Sequence, residues 1–108
     1  MIITFEDKDL EELIITGKNR KYKDIAKDFL LVKKIVKTYE ILKHSENIKQ
    51  VAQHSFLHYE KLRYGYSGKS SVRPFGSKRV ERLIFEEKEN KIEITILELD
   101  NTHYGNKK

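Results

Sequence analysis

Hydrophobic and polar positions follow two different rhythms along this chain, and the change of rhythm near residue 56 divides it. Met1 to Phe5 is a short, apolar, β-branched run that predicts a strand. Asp7 and Asp9 then supply an N-cap and a first-turn acid, Leu10, Leu13 and Ile14 form an apolar stripe at helical spacing, and Gly17 stands where a helix-ending glycine belongs. A short helix is expected there. After the basic loop Lys18 to Lys21, apolar residues recur at Ile25, Phe29, Val32, Val36, Tyr39 and Leu42 in steps of three or four, with Lys23, Lys27, Lys34 and Lys37 between them. This predicts one long amphipathic helix, whose lysines suit either a solvated face or a nucleic-acid face.

From Phe56 onward the period is two. Phe56 to Arg63, Ser71 to Phe75, Val80 to Glu86 and Ile92 to Leu99 read as strands, with Gly65, Gly68, Gly76 and the Glu89-Asn90 pair as turns. Ile92, Ile94 and Ile96 share a face. Pro74 cannot donate to a ladder, so its strand is expected to bulge, to stop there or to lie at an edge. The order predicts an α+β fold forming a single domain over residues 1–108: an N-terminal strand, two helices, then a C-terminal antiparallel sheet with the helices on one side.

Charge changes this picture in one place. Residues 58–82 hold seven Lys or Arg (Lys61, Arg63, Lys69, Arg73, Lys78, Arg79, Arg82) against two acids (Glu60, Glu81), which accounts for the whole net charge of +5. The remaining residues carry 15 basic and 15 acidic side chains. Charge gathered in one segment makes a local field that attracts polyanions. The chain has no cysteine, which excludes disulfides, thiolate nucleophiles and Cys-ligated zinc and suits a reducing interior. Its four histidines show no metal-ligand spacing, so neither a metal nor a cofactor is expected. Met1 to Asp7 lacks the basic and apolar regions of a signal peptide, and the longest apolar run, Phe29 to Val32, is too short to span a bilayer. A cytoplasmic protein without a membrane partner is the expectation.

Arg82 interrupts the apolar run Val80, Leu83, Ile84, Phe85, and a buried guanidinium needs a partner. Two roles fit: a cross-strand salt bridge to Glu81, Glu93 or Glu98, or a bidentate grip on a phosphate. Arg73 and Arg63, on neighbouring predicted strands, suit the same concave face. His103 is either an ordinary surface histidine or a proton carrier near neutral pH, and Tyr104 beside it suits base stacking. His58 and Glu60 are the reserve proton carriers. RNA cleavage needs little more, because the 2′-OH can attack the adjacent phosphorus while a base and an acid move protons and cations stabilise the phosphorane.

Five stretches, taken in their order and spacing, carry a family resemblance. They are Phe5 to Gly17 (FEDKDLEELIITG), Leu62-Arg63 before a glycine-containing loop, Ser71-Val72-Arg73, Arg82-Leu83-Ile84-Phe85-Glu86, and Ile94 to Tyr104 ending in His-Tyr. Together they resemble the RelE/ParE superfamily of bacterial toxin-antitoxin toxins, nearest to its HigB-like branch of messenger-RNA-cleaving toxins, over nearly the whole chain. The resemblance implies a RelE-like microbial RNase fold, a ribosome-dependent endoribonuclease that uses no metal and inhibits translation, and a cognate antitoxin, a helix-turn-helix HigA-like protein. It gives Arg82 the phosphate-binding role, His103 the proton transfer, and Lys61 or Arg63 the role of the second-strand basic residue. Arg73, Lys69, Lys78, Arg79 and Tyr104 become RNA contacts. The chain departs from the family pattern in the longer loop from Gly65 to Ser70, in Pro74 and in Gly105 to Lys108. Two other readings share these features: a ParE-like toxin that poisons DNA gyrase without cutting RNA, and a passive RNA-binding domain in which Tyr59, Tyr64 and Tyr66 stack on bases.

Overall fold

The computed structural model describes residues 1–66 and 68–101. Its α+β architecture runs β1 (Ile2–Phe5), α1 (Lys8–Thr16), α2 (Lys23–Lys27), α3 (Phe29–His44), α4 (Ile48–Ala52), β2 (Glu60–Lys61), β3 (Lys69–Val72), β4 (Arg82–Glu87) and β5 (Glu93–Asp100). Short 3₁₀ turns lie at Ser55–Leu57, Tyr64–Tyr66 and Gly76–Lys78. The strands form one sheet in the order β1-β5-β4-β3-β2, in which β2 to β5 are an antiparallel meander and β1 joins β5 in parallel.

The first helix forms as its sequence dictates. Asp7 accepts the Leu10 amide at 3.0 Å, and Gly17, left-handed at φ 80°, closes the helix by donating to Leu13. The expected long helix is two. Asp28 takes the cap position of α3, its carboxylate accepting the Leu31 amide at 3.1 Å, and this competition for backbone donors ends α2 at Lys27. The inward stripe of α3 is therefore Leu31, Ile35, Thr38 and Leu42, with Val32, Val36 and Tyr39 flanking it and Phe29 left exposed at the first turn. The periodicity assigned no element to the segment after Leu42. There, Asn47 caps α4, which buries Ile48 and Val51.

The strand expected from Phe56 to Arg63 is only Glu60–Lys61. A 3₁₀ turn over Ser55–Leu57 and a left-handed His58 at φ 52° break the extended backbone before it. Strand β3 ends before Pro74, and the Arg73 amide donates instead to the Leu57 carbonyl at 2.7 Å. Leu10, Leu13, Leu31, Ile35, Leu42, Leu83, Phe85, Ile94 and Ile96 form the centre of the core between helices and sheet. Pairing in the β4–β5 ladder passes from Phe85 opposite Ile96 to Ile84 opposite Glu98, so Leu97 is an extra residue. That bulge reverses the alternation of β5. It keeps Leu99 with Leu83 on the core side and turns Asp100 to the outer face, opposite Arg82. No helix among the described residues is long and apolar enough to cross a membrane.

Candidate active site

The end of β3 and the turn after it build a concavity against the chain leading into β2. Gly76 is left-handed at φ 59°, and a Cβ there would lie 2.5 Å from the Phe56 carbonyl oxygen, so only glycine allows the two backbones to approach this closely. The Arg73–Leu57 hydrogen bond and the 3.0 Å bond from the Gly76 amide to the Arg73 carbonyl hold the same corner. A cavity of about 460 Å³ opens there, lined by His58, Tyr59, Glu60, Arg73, Ser77, Lys78, Arg79 and Val80. An imidazole, a carboxylate and three cationic side chains thus share one small volume, and they can supply proton transfer and anion stabilisation together.

These side chains differ in how they are held. Arg73 is buried, whereas His58, Glu60, Ser77 and Lys78 are exposed. Lys78 forms no ion pair among the described residues. Arg79 is committed to the framework: its guanidinium lies 4.5 Å from the centre of the Phe75 ring, binds Glu81 through Nε at 3.1 Å and Nη2 at 2.8 Å, and reaches Asp28 Oδ2 at 2.9 Å. The hydrogen bond to Glu81, with that to Asp28, raises the pKa of Arg79, and the same guanidinium lowers that of Asp28. One side chain therefore fastens the cavity wall to the cap of α3.

Arg82 opens β4, one position beyond the Val72–Leu83 pair, on the strand next to the one that leads into Arg73. It is buried on the outer face of the sheet, its Nε donates to Asp100 Oδ2 at 2.9 Å, and its guanidinium sits 5.4 Å from the centre of the Tyr66 ring. The salt-bridge partner is Asp100 rather than Glu81, Glu93 or Glu98. Arg82 does not line the cavity with Arg73.

Lys61 faces the helix side and stands 3.4 Å from Glu87, which also accepts from Tyr59, from Ser70 at 2.6 Å and from Lys91 at 3.2 Å. Burial alone would raise the Glu87 carboxyl, but the bonds from Ser70, Tyr59 and Lys91 and the charge of Lys61 outweigh it and hold the pKa at about 2. Burial, with the bond to Glu87, pushes Tyr59 up to about 12. Arg63 is exposed just beyond β2 with no ion pair among the described residues, and Lys69 lies on β3 opposite Glu86. His103 and Tyr104 lie outside the described residues.

The structure thus brings Arg73, Lys78 and Arg79 together with His58 and Glu60 around one cavity, whose lining residues do not include Arg82 or Lys61. Sequence reasoning missed Ser77 at the cavity and Asp100 as the partner of Arg82. The Gly76-Ser77 turn was the available signal for the first; a bulge at Leu97 leaves no signal for the second. No group of three or more His, Cys, Asp or Glu able to hold a metal ion occurs among the described residues. No protein-family model matches the chain, and no curated protein matches it in sequence.

Proposed function

We propose that this protein is a metal-independent endoribonuclease that cuts messenger RNA on the ribosome, acting as the toxin of a toxin-antitoxin pair, as its resemblance to HigB-like toxins implies. The observation that carries the reading is the gathering of His58, Glu60, Arg73, Ser77 and Lys78 around one open cavity within the most basic segment of the chain. In this reading the scissile phosphate lies between Arg73 and Lys78, which offset the charge that builds on the phosphorane. Glu60 or His58 takes the 2′-OH proton as the 2′ oxygen bonds to phosphorus, and the other delivers a proton to the departing 5′ oxygen. The products are a 2′,3′-cyclic phosphate and a 5′-hydroxyl. His103 is the rival for one of these two proton transfers. Arg82, paired with Asp100, supports the sheet rather than the phosphate.

Brief expression followed by mapping of messenger 5′ ends, with and without ongoing translation, tests the proposal. Cuts confined to translated frames are expected. Intact messages accompanied by gyrase-linked DNA breaks would replace it with the ParE-like reading, and intact messages without DNA damage would leave a passive binder.

A further inference from the structure

A second cavity, also about 460 Å³, backs onto the first and shares His58, Ser77 and Lys78 with it. Its other walls are Leu30 and Lys34 of α3, Phe56, and the Pro74-Phe75-Gly76 turn. The two cavities differ in chemistry. The first is lined by the Glu60 carboxylate, whereas among the described residues no carboxylate lines the second, which combines two lysines, a histidine and two phenylalanines. Phe56 is 51% exposed and meets His54 edge-on, with 6.1 Å between ring centres. Lys34 places its ammonium 6.0 Å from the centre of the Phe75 ring, which lines the same cavity.

An exposed aromatic face beside lysines that form no ion pair among the described residues fits a ligand that is flat, aromatic and attached to negative charge. A purely apolar occupant would leave the lysines without counter-charge. An acidic peptide would satisfy them but has no reason to share a wall with a phosphate site. A nucleotide does: its base and its phosphate are joined through one sugar, and His58 and Lys78 line both cavities.

We propose that the second cavity is a nucleobase subsite, in which Phe56 stacks on the base next to the phosphate held in the first cavity and Lys34 steers the strand into place. This inference rests on reading the first cavity as an RNA site. Stacking on every base face is possible, so the subsite selects single-stranded RNA over duplex without strong base preference.

The test measures equilibrium binding by fluorescence anisotropy for two probes, a single-stranded RNA hexamer and a hexamer of ribose-phosphate that lacks its bases. Wild type, Phe56→Ser and Phe56→Tyr are compared. Phe56→Ser is expected to weaken binding of the intact hexamer roughly tenfold and to leave the base-free chain unaffected, while Phe56→Tyr keeps wild-type affinity for both. Equal losses on the two probes, or no loss on either, would overturn the proposal. So would unchanged RNA affinity in Phe56→Ser together with binding of a Leu- and Glu-rich helical peptide to the wild type alone, which assigns the groove to a protein partner. Wild type that binds no RNA defeats the subsite and the nuclease reading together. The expected base-dependence without any cleavage supports the subsite and defeats only the nuclease reading.

Discussion

Replacing Arg82 with alanine removes the cation from a buried pair and leaves the Asp100 carboxylate facing the gap. The guanidinium and carboxylate lie 2.9 Å apart, and their side chains are only 8% and 7% exposed. Breaking such a pair from one side costs about 3–5 kcal/mol, because the remaining carboxylate keeps its desolvation penalty and loses this ion pair. The low end applies here, since both side chains keep some contact with solvent. A loss of about 3 kcal/mol lowers the melting temperature of a domain this size by roughly 12 °C. Loss of the Tyr66 ring contact acts in the same direction. Thermal and urea melts of Arg82→Ala measure the effect, and Arg82→Met with Asp100→Leu, which removes both charges at once, should recover part of it. Assayed well below its melt, Arg82→Ala should cleave within about threefold of wild type, on the order of 0.7 kcal/mol in barrier. A variant that melts like wild type yet cannot cleave would refute this reasoning and return Arg82 to the phosphate.

Three other outcomes follow from the same geometry. Gly76→Ala should destabilise the protein by about 2–5 kcal/mol, combining the left-handed backbone at φ 59° with the 2.5 Å approach to the Phe56 carbonyl, and a urea melt measures it. The Glu87 carboxyl is held at about 2 in the folded chain, below its ordinary value of 4.5, so the stability it contributes is present above pH 4.5 and is lost as the pH falls from there towards 2. That contribution is at most about 3 kcal/mol, and Glu87→Gln should flatten the acid limb of a stability-against-pH curve. Lys78→Ala should weaken RNA binding and reduce the slope of log affinity against log salt by about 0.7, the share of one single-strand phosphate contact.

The parts of the fold that sequence made legible are those governed by local rules. Asp7 and Gly17 mark the ends of α1 because capping is a matter of neighbouring residues, and Ile94 and Ile96 reveal β5 because its burial alternates. Asp28 falls inside the single helix that the periodicity of Ile25 to Leu42 predicts; its cap on Leu31 is a local signal that the periodicity overrode, and only its bond to Arg79, fifty-one positions away, depends on packing. The strand expected from Phe56 failed for a similar reason: the left-handed His58 and the close passage of Gly76 depend on packing between distant segments. The same contrast holds for the site. Arg73, Lys78 and Arg79 could be named from charge clustering, whereas the burial of Arg82 with Asp100 depends on the bulge at Leu97. His58 and Glu60 were the reserve proton carriers, and the corner built by Gly76 places them at the cavity.

The most direct test of the account is single-turnover cleavage of ribosome-bound message by wild type, His58→Ala, Glu60→Gln and His103→Ala, with the chemistry of the product ends identified. Wild type should yield 2′,3′-cyclic phosphate and 5′-hydroxyl ends, and His58→Ala and Glu60→Gln should each slow the cleavage step by about 100-fold or more with little change in binding. Full cleavage rates in both cavity variants, with the loss confined to His103→Ala, would contradict the assignment of the chemistry to the cavity lined by His58, Glu60, Arg73 and Lys78.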